Sequence, residues 1–404
     1  MINLETPTKL DTLTYQANMA ALHVLRPISR KYDRAEHTYP VELDGLAELV
    51  AQANAQQAGM SASDTPELPE SDAGAGGTIN GRNLASLIGL IEMCWGDVGL
   101  MLTMPRQGLG QAAIRAVATP EQLERFGGKW AAMAITEPEA GSDSAAIRTT
   151  AVLDGEDYVL NGEKIFVTSG DRAELIVVWA TLDRKAGRGA IKSFVVERDN
   201  PGLKLDRLEH KLGIRASDTA NFVLENCRVP KANLLGSPEI TTAREGFAGV
   251  MQTFDNTRPM VAGMAVGVAR AALERTRELL EEAGVPVDYD RPLVVQGAAV
   301  AEFIQLEADW EASRLLTLKA AWMADNRMPN TVAASIAKAK AGRVATDVTL
   351  RCVALCGTLG YGEDELLEKW ARDAKILDIF EGTQQIQQLV IARQLLGKQS
   401  KELV

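Results

Sequence analysis

The stretch TTAVLDGEDYVLNGEKIFVTSG, residues 149–170, indicates the fold class of the middle of this chain. Apolar and β-branched residues alternate with polar ones, as in strands that bury one face. The dipeptides Asp154-Gly155 and Asn161-Gly162 have the composition of tight hairpin turns. Similar alternation continues in AELIVVWATL (173–182), IKSFVVER (191–198) and TANFVLENCRV (219–229). Residues 131–238 are therefore predicted to form a β-domain.

Helical patterns flank this β-domain on both sides. Apolar residues recur three and four positions apart, as on one face of a helix, at 10–32, 41–57, 82–104, 254–283 and 331–356. A stretch rich in Ser, Asp, Pro and Gly at 59–81 predicts a long loop. The chain is thus predicted to be an α+β protein with a helical domain at 1–130, the β-domain at 131–238 and a second helical domain at 239–404.

Composition excludes several classes of function. The 404 residues are 46% hydrophobic, which suffices for a large core, and the net charge of −11 argues against nucleic acid or an anionic membrane as the main partner. No apolar run approaches the roughly 18 residues of a membrane span, so no membrane insertion is expected. The N-terminus has neither the basic nor the apolar part of a secretory signal, which favours a cytoplasmic location.

Cysteine and histidine usage gives no sign of a disulfide framework or a metal site. Four cysteines in a chain of this length are typical of buried free thiols. The three histidines, His23, His37 and His210, are far apart in the sequence. No metal site is therefore predicted.

Two segments of the β-domain carry residues suited to a flat polar ligand. AMAITEPEAGSD, residues 132–143, places Gly141 beside the hydroxyl-bearing residues Thr136 and Ser142. In IFVTSG, residues 165–170, strand alternation puts Phe166 and Thr168 on one face. An aromatic ring with a neighbouring hydroxyl suits a planar heteroaromatic ring. Taken alone, each segment is equally compatible with an ordinary hairpin.

A lone carboxylate lies in the segment ILDIFEGTQQIQQLVIARQLLG, residues 376–397. Glu381 follows the apolar pair Ile379-Phe380 and precedes a helical pattern. An apolar setting raises the pKa of a carboxyl group and makes it a stronger base. Taken alone, Glu381 is better explained as an acidic residue that stabilises the start of a helix.

Together, four motifs resemble the acyl-CoA dehydrogenase family over nearly the whole chain. They are ITEPEAGSD (135–143), NGEKIFVTSG (161–170), FDNTRPMVAG (254–263) and RDAKILDIFEGTQQIQ (372–387). The resemblance implies an N-terminal helical domain, a middle β-barrel domain and a C-terminal four-helix bundle. It also implies FAD-dependent conversion of an acyl-CoA thioester to the trans-2-enoyl-CoA, with hydride transfer to flavin N5 and an electron-transfer flavoprotein as acceptor.

The resemblance assigns roles to individual residues. Glu381 matches the family's α-proton base, and Thr257 occupies a position where some members carry that base instead. The expected flavin-binding residues are Met133, Ile135, Thr136, Gly141, Ser142, Phe166, Thr168, Thr383 and Gln385. Phe166 stands where the family usually has tryptophan. The expected substrate contacts are Ser142, Asp255, Arg258 and Gly382.

One part of the family pattern is missing. Members are usually homotetramers in which a neighbouring subunit supplies an arginine and a glutamine to the FAD. Here those positions fall on Val285 and Ala354, although Arg291 lies nearby. This favours a heteromeric tetramer in which a homologous chain supplies the missing contacts. The alternative is a homotetramer whose phosphate contacts lie on other residues.

Two other functional classes are compatible with these motifs. An acyl-CoA oxidase would use oxygen as the acceptor, but such chains are usually much longer. A non-catalytic structural subunit is the third possibility, and the presence of Glu381 with the flavin motifs argues against it. The dehydrogenase is the favoured prediction.

Overall fold

The computed structural model describes residues 7–49, 81–106, 109–240, 248–398 and 402, with backbone only for 248–256. Of the predicted features, the long loop at 59–81 falls almost entirely outside the described residues, as does the second half of the helix predicted at 41–57. The described part has helical N- and C-terminal regions around a central sheet, as the α+β prediction requires.

Short helices build the N-terminal region. They are α1 (Asp11–Ala20), α2 (Arg26–Arg34), α3 (42–49), α4 (Arg82–Gly96), α5 (Val98–Thr103), α6 (Leu109–Val117) and α7 (Pro120–Phe126), with a π-helical turn at Ala21–Leu25 between α1 and α2. The single helix predicted at 82–104 is interrupted at Asp97, whose backbone is extended. The Asp97 carboxylate accepts the Leu100 N–H (2.8 Å) and so caps α5.

In the described part of the chain, eight strands form one mainly antiparallel sheet. They are β1 (Ala131–Ala134), β2 (Thr150–Asp154), β3 (Asp157–Thr168), β4 (Leu175–Thr181), β5 (Ile191–Glu197), β6 (Leu203–Leu208), β7 (Thr219–Pro230) and β8 (Leu234–Leu235). Their order is β6-β7-β3-β2-β4-β5-β8, and β1 pairs with β4. Within the described ranges no pairing joins β6 to β8. The sheet is therefore open, and the expected closed barrel is not confirmed.

One of the two predicted turns is wrong. Asp154-Gly155 does lie in the turn between β2 and β3. Asn161-Gly162 instead lies inside β3, at a shift in its register with β7. Gly162 has φ 156°, and a Cβ there would lie 2.7 Å from the Thr149 Cα. The glycine allows close approach of two backbones at a bulge, which a local dipeptide pattern does not reveal.

Long helices dominate the C-terminal region. They are α8 (Ala248–Glu282), α9 (Ala298–Asp325) and α10 (Thr331–Tyr361), followed by α11 (Leu367–Ala374), a 3₁₀ turn (Lys375–Asp378) and α12 (Gln384–Leu396). Side chains of α8, α10 and α4 share one apolar core. The specific four-helix bundle remains an expectation. No described helix is both long and apolar enough to cross a membrane.

A buried charge cluster joins the three regions. The Lys369 Nζ lies 2.6 Å from Asp97 Oδ2 and 2.5 Å from Asp373 Oδ2, and all three side chains are excluded from solvent. The Ile214 N–H, in the loop after β6, donates to Asp373. Burial opposes the charge of Lys369, yet the two carboxylates raise its pKa. The cluster therefore fixes α5, α11 and the sheet relative to one another.

Candidate active site

Glu381 lies in a tight turn between the 3₁₀ turn and α12. Its φ is 56° and that of Gly382 is 90°, so both adopt the left-handed region. The Gln387 side-chain amide donates to the carbonyls of Glu381 (3.2 Å) and Gly382 (3.1 Å). A Cβ on Gly382 would lie 2.4 Å from that amide nitrogen. The turn therefore needs glycine after the carboxylate, and Gln387 holds the backbone in place.

The carboxylate of Glu381 contacts α8. The Thr257 hydroxyl donates to Glu381 Oε2 at 2.9 Å. Burial raises the pKa of Glu381, and the effects of Thr257, Arg258 and Lys338 oppose this rise. The sequence had given Thr257 only a negative role, as a residue that cannot be the base. In the structure, Thr257 is instead a hydrogen-bond donor to the Glu381 carboxylate.

Lys338 on α10 is a part of this site that the sequence motifs did not indicate. It is fully buried, and its amine has no hydrogen-bond partner among the described residues. Burial lowers the pKa of Lys338 to about 8, against the opposing effects of Asp378 and Glu381. α10 packs directly against the 3₁₀ turn that precedes Glu381, because a Cβ on Gly342 would lie 2.6 Å from the Leu377 carbonyl oxygen. A lysine on the alanine-rich buried face of α10 was the available signal.

The sheet brings the two predicted flavin segments together. The Ile165 N–H donates to the Thr136 carbonyl at 2.9 Å. Phe166 has φ 58° at a bulge in β3, and 58% of its surface is exposed. Val167 points into the sheet core, and Thr168 is half-buried. The bulge interrupts the strand alternation on which the prediction of a shared face for Phe166 and Thr168 depends, and it leaves the Phe166 ring exposed.

A buried ion pair between Lys164 and Glu137 joins the two predicted flavin segments. The Lys164 Nζ lies 2.6 Å from Glu137 Oε1 and donates to the Ile135 carbonyl at 3.1 Å. Glu137 also accepts the N–H (3.0 Å) and hydroxyl (2.6 Å) of Thr149. Burial lowers the pKa of Lys164 to about 8. Sequence reasoning missed this pair, because the two residues lie 27 positions apart in motifs interpreted separately.

The remaining predicted site residues have varied positions. Met133 and Ile135 are partly buried in the core beneath the sheet, and Gly141 and Ser142 are exposed in the following loop. The Thr383 hydroxyl accepts the Ile386 N–H (3.3 Å) as the cap of α12, and Gln385 is exposed. Arg258 is buried. The side chain of Asp255 lies outside the described residues.

The loop 209–218 links the sheet to α11, the helix that precedes the Glu381 turn. At one end, the Asp218 carbonyl accepts the Ser169 N–H at 3.1 Å, directly after β3. In its middle, the Ile214 N–H donates to Asp373 of α11, a few residues before the turn.

The exposed ring of Phe166 and the hydroxyls of Thr136, Ser142 and Thr168 fit a flat ring with polar edges. The residues present are therefore compatible with a flavin.

Comparisons with known proteins agree with this geometry. Residues 132–227 match the model of the acyl-CoA dehydrogenase middle domain, and residues 244–396 match that of the C-terminal domain. The chain is 36% identical, over 79% of its length and 83% of the relative's, to a short-chain specific acyl-CoA dehydrogenase of Clostridium acetobutylicum. It is 33% identical to the mouse mitochondrial short-chain specific acyl-CoA dehydrogenase, over 98% of this chain and 92% of the relative. The solved butyryl-CoA dehydrogenase of Megasphaera elsdenii superposes with a TM-score of 0.83 at 29% identity, over 98% of this chain and 100% of that one.

Proposed function

Because the chain belongs to the acyl-CoA dehydrogenase family, whose members are flavin oxidoreductases, we propose that it oxidises an acyl-CoA thioester between Cα and Cβ. The product is the trans-2-enoyl-CoA. The observation that carries this proposal is the Glu381 turn. A partly buried carboxylate with a raised pKa, hydrogen-bonded to Thr257, is suited to accept a weakly acidic proton.

The chain's own residues divide the work of the reaction. Glu381 takes the α-proton onto its carboxylate, and exclusion of water by the bound substrate strengthens it as a base. Gly382 leaves room for the thioester beside the base. We assign to the Glu381 backbone N–H the stabilisation of the charge that develops on the thioester carbonyl. Arg258 and Lys338 balance the negative charge of the carboxylate before the proton is transferred.

FAD, when bound, supplies the acceptor for the hydride that leaves Cβ. We assign its ring to Phe166, Thr168, Thr136 and the strand residues Met133 and Ile135, and its polar edge to Gly141, Ser142, Thr383 and Gln385. The support is that the Phe166 ring is exposed and that the hydrogen bond from Ile165 to Thr136 joins the two segments. Ser142, Asp255 and Arg258 are assigned to the CoA thioester. An electron-transfer flavoprotein is the proposed final acceptor.

A short acyl chain is the proposed substrate. The support comes from two of the curated relatives, those of Clostridium acetobutylicum and mouse, which are named as short-chain specific enzymes. The Trp95 indole N–H on α4 donates to the Glu274 carboxylate at 2.6 Å, and the Arg26 guanidinium carbon lies 4.1 Å from the centre of the Trp95 ring. The Trp95 side chain is therefore held in one position in the neighbouring core. A panel of acyl-CoA thioesters of increasing length, assayed with a dye acceptor, tests this point.

Substitution of the base tests the function. Glu381→Gln should abolish turnover of butyryl-CoA while leaving bound flavin unchanged, because the amide cannot accept the proton. Glu225→Gln, on an exposed strand position, is the control and should retain full activity. Turnover by Glu381→Gln at the rate of the control would refute the assignment. Oxygen consumption that matches substrate oxidation, without any added acceptor, would instead support an oxidase.

We further propose that this chain assembles with a homologous partner chain. Val285 and Ala354 replace the arginine and glutamine of the family's second half-site, and both are exposed. Arg291 is exposed, and its guanidinium lies 3.4 Å from the Val295 carbonyl oxygen. Val294 (92% exposed) and Tyr361 (82% exposed) lie close in sequence to these positions and offer apolar surface for a partner.

Flavin content and mass in solution test this assembly. The chain should hold little flavin when expressed alone and should gain it on co-expression with a homologous neighbour. One FAD per chain in a pure homotetramer would contradict the proposal, and would favour phosphate contacts on other residues. The Glu381 test then uses whichever assembly of the chain holds flavin. Failure of the two proposals stays distinguishable, because assembly is judged by absorbance and mass and the base by turnover.

A further inference from the structure

A cluster of possible metal ligands lies where the segment after α2 meets the loop 209–218, and none of its residues is assigned to catalysis. Glu36 and His37 follow α2, and His210 lies in the loop after β6. One ligand atom from each residue lies within 4.8 Å of the other two. The two imidazole rings have centroids 5.0 Å apart. Histidine spacing in the sequence predicted no metal site, but the fold brings two of the three histidines together.

The backbone fixes this cluster in place. Glu36 Oε1 accepts the Lys211 N–H at 2.9 Å, while its other oxygen lies 2.9 Å from His210 Nδ1. The Lys211 amine, the nearest lysine, donates to the Ser217 carbonyl at 2.6 Å and is therefore engaged elsewhere. The cluster joins the N-terminal helices to the loop 209–218. His210 is largely exposed, so an ion from solvent can reach it.

His37 gives the second observation. Both of its ring nitrogens are shielded from solvent, and neither has a hydrogen-bond partner among the described residues. A shielded polar atom without a partner is unfavourable, and a bound ion is one of the few arrangements that account for it. The lone pair of a neutral imidazole nitrogen is a strong ligand for such an ion.

We propose that Glu36, His37 and His210 form a binding site for a divalent transition-metal ion, of which Zn²⁺ is the best match. Two imidazoles and one carboxylate suit Zn²⁺, whereas Mg²⁺ and Ca²⁺ prefer sites made of oxygen ligands alone. Water completes the coordination. Glu36 and His37 lie just after α2, and His210 lies in the loop 209–218. The ion therefore links the helical region to the sheet and stabilises the folded chain.

The experiment uses the full-length chain without a polyhistidine tag, stripped with a chelator and titrated with Zn²⁺ by calorimetry. We expect one Zn²⁺ per chain and a rise in melting temperature on its addition, with no such response to Mg²⁺. His37→Gln and His210→Ala should each weaken binding by about tenfold or more, a loss seen even for groups that only support a ligand. His23→Ala is the matched control, since this third histidine lies outside the cluster, and it should bind as the unaltered chain does.

Circular dichroism of each variant shows whether it is folded, so a folding failure is not read as loss of a ligand. As a second measurement, Co²⁺ should give visible absorption bands of a low-coordinate nitrogen and oxygen site, and these should vanish in His210→Ala. No binding by the unaltered chain, or equal binding by the unaltered chain and both cluster variants, would overturn the proposal. The Glu36–His210 contact would then be a simple ion pair. None of these measurements depends on enzyme activity.

Discussion

Lys369→Met should be among the most destabilising single substitutions in this chain. It leaves the carboxylates of Asp97 and Asp373 buried side by side without their cation. Loss of one partner from a buried ion pair costs about 3–5 kcal/mol of unfolding free energy. The Ile214 N–H still reaches Asp373, so the carboxylates are not left wholly without donors. Burial already raises the pKa of Asp373, and removal of Lys369 should raise it further.

That rise gives the variant a distinctive dependence on pH. In the folded variant Asp373 takes up a proton more readily than in the unfolded chain, so acidification favours the folded state. The stability loss should therefore shrink as the pH falls from 7 to 5, by at most about 1.4 kcal/mol for each pH unit. Urea unfolding at both pH values measures the free energy of unfolding. Tryptophan fluorescence, to which the buried Trp370 beside Lys369 contributes, follows the transition.

Lys204→Met is the matched control. Lys204 pairs with Glu225 across two strands, but both side chains are more than half exposed. Exposed pairs contribute about 0–1 kcal/mol, so this variant should unfold almost as the unaltered chain does. A loss below about 1 kcal/mol for Lys369→Met, or an equal loss at pH 5 and pH 7, would show that the cluster does not join the three regions.

Three further predictions concern the Glu381 turn. Glu381→Gln should be more stable than the unaltered chain at pH 7, because the raised pKa means that the fold resists the charge, at about 1.4 kcal/mol per tenfold change in acidity. Thermal melts should show the gain fading as the pH falls through the raised pKa of the folded state toward about 4.5, below which the carboxyl is protonated in both states. Gly382→Ala should lose activity and about 1–3 kcal/mol of stability, more than Gly284→Ala, which has a similar φ but open space around it; equal losses would contradict the role given to the clash. Lys338→Met should move the acidic limb of the kcat/KM profile up by roughly one pH unit, since Glu381 loses a nearby cation. Lys340→Met, on the same helix, should leave that limb in place.

The predictions from sequence succeeded where a pattern is local. β4, β5 and β7 lie where alternation places them, because each strand buries one face or both within a few residues. The long helices α8 and α10 follow from repeats three and four residues apart. The interruption at Asp97 was missed, because the side chain that caps α5 is set by the Lys369 cluster as well as by its own neighbours.

Contacts across long sequence separations could not be found in the same way. The hydrogen bond from Thr257 to Glu381 spans 124 positions, and the motif around each residue says nothing about the distance between them. The Asn161-Gly162 dipeptide predicted a turn from two neighbouring residues alone. The close approach of Gly162 to the Thr149 backbone, which explains the glycine, cannot be seen in those two residues. Lys338 was overlooked because a lysine in a helix is normally exposed.

Three helices hold Glu381, the proposed catalytic base, and under that proposal its chemistry depends on assembly of the fold. Gln387 of α12 fixes the backbone of Glu381, Thr257 of α8 fixes its carboxylate, and α10 places Lys338 nearby. A chain in which any one of these helices has not docked lacks a correctly placed base. Under the proposed function, activity therefore appears only after α8, α10 and α12 have all docked, so the appearance of activity during refolding reports on the last of these docking steps.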